Sequence, residues 1–470
     1  MRYVPRLTVQ RLVQHGVTAT LGAMALLSTP AEADALARYV QTQLTRQQLP
    51  GLALVVLKDG KRVESRSMGW ADLERRVRVT PDTLFEIGSV TKQFTAVALM
   101  LLVEDGKLTV DDLLARHLPG LPAAWQGLTL RHLLTHTSGI ADYEEVMGYV
   151  GYRQVMTPEQ VIAVVATRPL DFVPGERFNY SNTGYFLLTL VVEKISGQRF
   201  IDLLRQRVLL PAGMLRTDSS EPMRVMPRRA AGYEFKDGAF ENRDAMQPSA
   251  TGGAGMLVST LADLARWDAV LDRRALLRPE SWQLLWTEAP LNDGTGSGYG
   301  MGWFVGTMRG RPLLEHSGGT PGFTTQVLRL AQDRLTVIVF GNSYSSNAVI
   351  DVAGHLARLH LPALRYKPIA DTDPAKAAQL REFLTHRADT LPYHPPLSPA
   401  LAVRVDKVWA VRQSYYQTLG PPLSLRLVER EEKASKIWFR YRVKYADTVR
   451  LVRASFDTQG LIEDLVSEDD

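Results

Sequence analysis

The 470-residue chain reads as α+β: an antiparallel sheet flanked by helices, an all-helical subdomain, and a small α+β module at the C-terminus. Three observations predict this. Strand-type runs occur at 51–68 and return at 299–340, separated by a mostly helical and loop-like stretch at 109–224 that Pro158, Pro169, Pro174 and Pro211 punctuate. A segment at 90–103, VTKQFTAVALMLLV, is apolar on nearly every side and so reads as a buried helix. After a Pro-containing irregular segment at 362–373, two helical patterns precede four alternating runs.

The N-terminus carries Arg2, Arg6 and Arg11, an apolar run at 17–27 broken by small residues, and then Ala31-Glu32-Ala33. Residues 1–33 therefore read as a secretory signal peptide with an A-x-A type cleavage site. The run is shorter than the roughly 20 residues that span a bilayer. A periplasmic or secreted location is expected, with no stable membrane insertion after leader removal; an amphipathic helix or membrane anchor is the alternative. A helix is expected over 34–48. Strands at 51–58 and 61–68 flank Asp59-Gly60, a two-residue hairpin signal. Further strands are expected at 299–307, 311–317, 324–330 and 335–340, then a helix over 347–361. A catalytic domain over 34–365 is expected to be followed by a module over 366–470, with helices at 374–388 and 399–419 and strands at 423–430, 436–444, 448–456 and 461–466.

Hydrophobic residues at 45 % and charged residues at 22 % fit a globular protein and exclude disordered, collagenous and coiled-coil classes. The net charge of +5 is weak, and no Lys/Arg stripe with interleaved aromatics occurs, so no nucleic-acid partner is expected. The absence of cysteine rules out disulfides, thiolate metal sites and lipoprotein acylation.

Three clusters carry chemistry. Ser89 stands where the extended stretch 84–88 turns into the buried helix, among unpaired N–H groups that can stabilise an oxyanion. Lys92 falls on the same face, and an apolar setting lowers its pKa toward that of a working base. Ser89 as a plain N-cap is the alternative, weakened because position N3 holds Lys rather than Glu or Gln. Tyr180-Ser181-Asn182 supplies a phenol whose phenolate a neighbouring lysine would favour, and an amide suited to holding a substrate carbonyl or the lysine. His316-Ser317-Gly318-Gly319 ends a strand, where glycines allow close approach and an edge can pair with an extended substrate. A packed tyrosine beside an N-cap and a glycine-rich surface turn are the plain readings of these last two.

SxxK, YxN and HxG in this order resemble the serine β-lactamase and penicillin-binding protein family, as do the flanking HLLTHTSG at 132–139, PGERFNYSN at 174–182 and LPAGM at 210–214. The match covers roughly 34–361 and is nearest the branch of class C β-lactamases, DD-peptidases and esterases. The resemblance implies Ser89 as nucleophile, Lys92 and Tyr180 as general acid and base, and Asn182, His316, Gly318 and Gly319 at the substrate. The N–H groups of Ser89 and Gly319 would form the oxyanion hole. Histidine in place of the lysine of a K-T-G element argues against a β-lactam carboxylate, although Arg309 or Arg311 offers a cation. No S-D-N element and no second acidic base is apparent. The C-terminal module resembles nuclear transport factor-like or cystatin-like appendages.

His132 and His136 have the i, i+4 spacing of zinc ligands but no third ligand, so neither metal nor organic cofactor is expected. Trp267, Trp282 and Trp286 read as core or cleft wall, and Trp303 as the foremost cleft candidate. The expected function is an exported serine hydrolase working through an acyl-enzyme on D-amino-acid peptides. An esterase or β-lactamase, or a noncatalytic penicillin-recognising sensor, is the alternative. The partner is a small-molecule or peptide substrate, and oligomeric state is left open.

Overall fold

The computed structural model describes residues 30–243, 246–344, 347–386, 397–433 and 436–470, without the side chains of 30–34, 149, 150, 386, 407–416 and 433. The leader read at 1–33 lies almost wholly outside the described residues.

Helix α1 (Pro30–Arg46) leads into the hairpin of β1 (Gly51–Lys58) and β2 (Lys61–Asp72). Its turn residues Asp59 and Gly60 have φ of +53° and +72°, the pair of left-handed conformations that a tight hairpin requires. A two-residue strand, β3 (Val77–Arg78), pairs with the far end of β2, which runs four residues beyond the 61–68 expected. Helix α2 (Thr91–Glu104) follows a 3₁₀ turn at Gly88–Val90 and is buried at every residue from Thr91 to Leu102. Its sequence has no polar stripe to offer solvent, so it must lie in the core, where Phe94 packs on Trp267 at 4.5 Å between ring centroids.

Short helices then build the expected helical region, and α3 (Asn182–Ser196) is its buried centre. Residues 225–298, to which the sequence pattern assigns no element, form a hairpin (Gly232–Lys236 with Ala239–Arg243) and helices at Leu261–Arg273 and Pro279–Leu285. Strands β4 (Phe304–Met308), β5 (Arg311–Thr320), β6 (Phe323–Leu330) and β7 (Leu335–Gly341) precede α4 (Ala348–His360). The strand expected from Tyr299 begins only at Phe304. Gly302 there has φ +84°, and a Cβ on it would stand 2.8 Å from Lys92 O, so the chain bends against α2 instead of extending.

The sheet order is β3-β2-β1-β7-β6-β5-β4, antiparallel throughout, with Val55 of β1 opposite Ile338 of β7. One face buries Leu52, Leu54 and Val56 against α1 and α4. The other buries Ala53, Val55 and Phe340 against α2 and the helical region. β4 pairs with β5 only over Arg311–Glu315. From His316 onward, the side of β5 away from β6 meets the Gly88–Val90 turn instead, where Gly319 backbone atoms crowd Gly88.

Beyond α4, helices α5 (Pro374–His386) and α6 (Pro399–Leu419) and the meander β8 (Ser424–Lys433), β9 (Lys436–Lys444), β10 (Val449–Phe456) and β11 (Ile462–Asp469) enclose a separate core around Leu380, Phe383, Phe439, Tyr441 and Ile462. A buried ion pair and hydrogen bonds fasten this module to α4 and α1. Arg450 bridges Asp469 and Asp351, Asp469 N donates to Asp351 Oδ1 at 3.2 Å, and Tyr39 Oη donates to Asp469 Oδ2 at 2.8 Å. Among the described residues no helix is long and apolar enough to cross a membrane.

Candidate active site

Ser89 sits half-buried in the 3₁₀ turn, at the mouth of α2. One turn on, Lys92 is fully buried, and its Nζ lies within hydrogen-bond distance of three oxygens: Ser89 Oγ at 3.1 Å, Asn182 Oδ1 at 2.8 Å and Ala254 O at 2.8 Å. Burial depresses its pKa to about 7, against the opposing pull of Asp142 and Glu144, which favour the ammonium. An amine that an isolated lysine would keep charged is thus poised near neutrality, which is what a general base requires.

Asn182 opens α3 and is committed on every polar side-chain atom. Its Oδ1 accepts from Lys92, while Nδ2 donates to Asp142 Oδ2 at 3.1 Å and to Glu144 Oε2 at 2.7 Å. Of the two uses expected for this amide, the structure supports the hold on lysine rather than the contact with substrate. Tyr180 places its ring 4.7 Å from Lys92 Nζ, and its hydroxyl is buried with no hydrogen bond of ordinary length. Burial drives its pKa well above 10, with Tyr185, Asp142 and Glu144 adding to the rise and nearby Ser89 opposing it. The favoured phenolate expected from the sequence is therefore corrected: desolvation dominates at the buried hydroxyl, and Tyr180 remains a phenol.

His316 is also corrected. It is 1 % exposed, its Nδ1–H donates to Ser317 O at 2.6 Å, and its Nε2 accepts from Tyr299 Oη at 2.9 Å. Both ring nitrogens are spent inside the protein, and burial with Lys92 nearby lowers its pKa to about 3. The imidazole therefore supports the site from behind as a neutral ring. Gly318 packs directly on the turn that carries Ser89, where a Cβ would overlap Ile87 O and lie 3.2 Å from Ser89 N. The Gly319 backbone lies against Gly88, whose added Cβ would stand 2.8 Å from Gly319 N, so the Ser89 and Gly319 amides come from adjoining backbone.

His132 and His136 do not share a site. His132 Nδ1 accepts from Thr129 N at 3.3 Å in a capping box, and His136 Nδ1 accepts from Ser181 N at 3.1 Å. Among the described residues no group of three or more His, Asp or Glu is placed to hold a metal ion. The HLLTHTSG segment instead carries the tyrosine loop: His136 stacks on Tyr180 at 4.2 Å, and its carbonyl accepts from Asn179 N at 2.9 Å. Arg309 pairs with Glu429 and Arg311 with Asp333, so both are engaged away from Ser89. Trp303 is 0 % exposed and belongs to the core, as do Trp267 and Trp282. The half-buried aromatics beside Tyr180 are Phe178 and Phe304, the latter stacked on it with centroids 6.3 Å apart. Asp142, Glu144 and Tyr299 were not legible as site residues because each reaches Lys92 or His316 only through a contact made by folding.

A β-lactamase family model matches residues 36–361. Penicillin-binding protein 4* of Bacillus subtilis (strain 168) is 31 % identical over 336 residues, 66 % of this chain and 73 % of that protein. The D-aminopeptidase of Gluconobacter oxydans (strain 621H) is 32 % identical over 341 residues, covering 70 % of this chain but only 62 % of its own length. In fold, the octameric penicillin-binding protein homologue from Pyrococcus abyssi superposes with a TM-score of 0.64 at 23 % identity, over 93 % of this chain and 98 % of that one. With its motifs drawn together around Ser89 and Lys92 and its sequence matched over that whole region, the chain belongs to the β-lactamase family and is a serine hydrolase.

Proposed function

We propose that the protein hydrolyses amide bonds in D-amino-acid peptides through an acyl-enzyme on Ser89. The observation that carries this is the coordination of Lys92. A neutral amine has two N–H groups and one lone pair. Asn182 Oδ1 and Ala254 O take the two N–H groups at 2.8 Å each, which leaves the lone pair for the Ser89 hydroxyl at 3.1 Å. Lys92 accepts the serine proton as Oγ bonds to the substrate carbonyl carbon, and the Ser89 and Gly319 amides hold the oxyanion. Tyr180, a phenol, protonates the leaving nitrogen as the C–N bond breaks, and the proton gained by Lys92 makes good that loss. Water then cleaves the ester and restores Ser89.

Support for the substrate class comes from the D-aminopeptidase relative and from the character of the third cluster. A neutral His316, with Arg309 and Arg311 engaged elsewhere, gives a β-lactam carboxylate no cation on that side. The test is turnover of matched D- and L-amino-acid amides, a D-Ala-D-Ala peptide, nitrocefin and nitrophenyl esters. D-selective amide or peptide cleavage that disappears in Ser89→Ala is expected; turnover of esters alone would contradict the reading. The leader reading of 1–33 carries with it a proposed periplasmic or secreted location. The division into a hydrolase over 34–365 and a module over 366–470 is likewise proposed.

A further inference from the structure

Two carboxylates behind the site have no part in the chemistry above. Asp142 and Glu144 lie on the segment entering the Tyr143–Gly151 helix, and both receive Asn182. Asp142 is 7 % exposed and accepts three N–H groups: Asn182 N at 3.1 Å and Asn182 Nδ2 at 3.1 Å on Oδ2, and Glu144 N at 3.0 Å on Oδ1. Glu144 Oε2 accepts from Asn182 Nδ2 at 2.7 Å and from Tyr152 Oη at 2.7 Å.

A carboxamide is nearly symmetric in shape, so sterics alone do not decide which end of Asn182 faces Lys92. The two orientations differ chemically. With Oδ1 inward, the amide consumes one lysine N–H. With Nδ2 inward, it offers a donor to the lysine lone pair and competes with Ser89 for it. Carboxylates accept only, and here two of them bracket the outer end of the amide, one for each N–H of Nδ2. A reversed amide would turn its carbonyl oxygen onto both carboxylates and leave their lone pairs facing an acceptor.

We propose that Asp142 and Glu144 are positioning residues that lock the Asn182 amide with its oxygen on Lys92, which keeps the lysine lone pair directed at Ser89. The proposal rests on the reading of Lys92 as the base. The same carboxylates are the charges that oppose the desolvation of Lys92. The other groups facing that amine are uncharged: the rings of Tyr180 and Tyr185 at 4.7 and 5.4 Å, and His136 and His316, both held neutral by burial. Removing the carboxylates therefore has two separable effects. The amide becomes free to reverse, which lowers the maximal rate, and the lysine loses its stabilising charges, which lowers its pKa.

The experiment is the pH dependence of fluorophosphonate labelling in the full chain, comparing wild type with Asp142→Asn, Glu144→Gln and the double variant. An amide side chain donates as well as accepts, so it tolerates either orientation of Asn182. For the double variant the expected result is a plateau rate at least tenfold lower together with an acid limb displaced to lower pH, and each single variant should fall between. An unchanged plateau overturns the proposal, as does a lowered plateau whose acid limb is unmoved or moves upward, which is the mark of a merely structural role. Thermal melting checks folding, and if the double variant does not fold the single variants decide by the same criteria. Failure of the underlying reading is distinguishable, because labelling would then survive Ser89→Ala or be indifferent to Lys92→Met.

Discussion

Tyr299 Oη donates to His316 Nε2 at 2.9 Å, and this bond fixes what the third cluster can do. With Nδ1–H on Ser317 O, the imidazole is held in one neutral tautomer inside an aromatic box of Tyr180, Tyr299 and Phe304. Tyr299→Phe would leave Nε2 buried without a donor. A loss of about 1–3 kcal/mol in unfolding free energy is expected by denaturant titration, with the pH–activity profile keeping its shape, because His316 does not titrate above its pKa of about 3.

Lys92 makes stability depend on pH. Its pKa falls from 10.5 in the unfolded chain to about 7 in the folded protein. Between these values the unfolded chain binds a proton that the folded protein does not, so stability rises with pH across this window and the slope vanishes below about 7. Unfolding free energy should increase by about 2 kcal/mol from pH 7 to pH 9 on this account. Lys92→Met should abolish that increment along with activity, as paired denaturation curves would show.

Tyr180→Phe separates catalysis from stability. The hydroxyl is buried with no hydrogen bond of ordinary length, so its removal leaves the melting temperature unchanged or raised. Loss of the proton donor should lower kcat on amides by about 10²–10⁴-fold. The acid limb, which belongs to Lys92, should stay where it is. A drop in melting temperature would show that Tyr180 serves packing first.

The buried Arg450 tests how the C-terminal module is held. It is 5 % exposed and pairs with Asp469 and Asp351, themselves 2 % and 5 % exposed. Arg450→Ala strands two buried carboxylates and should cost about 3–5 kcal/mol. Limited proteolysis should then cut near 362–373, between the helix ending at His360 and the one beginning at Pro374.

Much of this was legible in the sequence wherever local chemistry decides. Asp59-Gly60 specified its hairpin, the continuous apolar run at 90–103 specified a buried helix, and the four C-terminal alternations became β8 to β11, with β8 and β11 each running three residues past the expected end. Ser89, Lys92, Tyr180 and Asn182 were singled out by type and order, and the structure draws them together around the Lys92 amine. Their division of labour was not, since it depends on burial and on partners distant in sequence. Tyr180 was expected to favour its phenolate because a cation lies near, yet desolvation of both groups reverses that balance. His316 was expected to face substrate until Tyr299, seventeen residues earlier, is seen to occupy its Nε2. Tyr299 itself was placed in a strand because nothing local shows that Gly302 must bend around the α2 backbone.

The central claim is that Ser89 is the nucleophile and buried Lys92 its base. Intact-protein mass spectrometry after fluorophosphonate treatment across pH 5 to 9 tests both parts together. The account predicts a single adduct on Ser89, absent in Ser89→Ala, forming at a rate that rises with pH through about 7 in wild type and falls to background in Lys92→Met. An adduct that persists in Ser89→Ala, or a rate without that rise through neutrality, would contradict it.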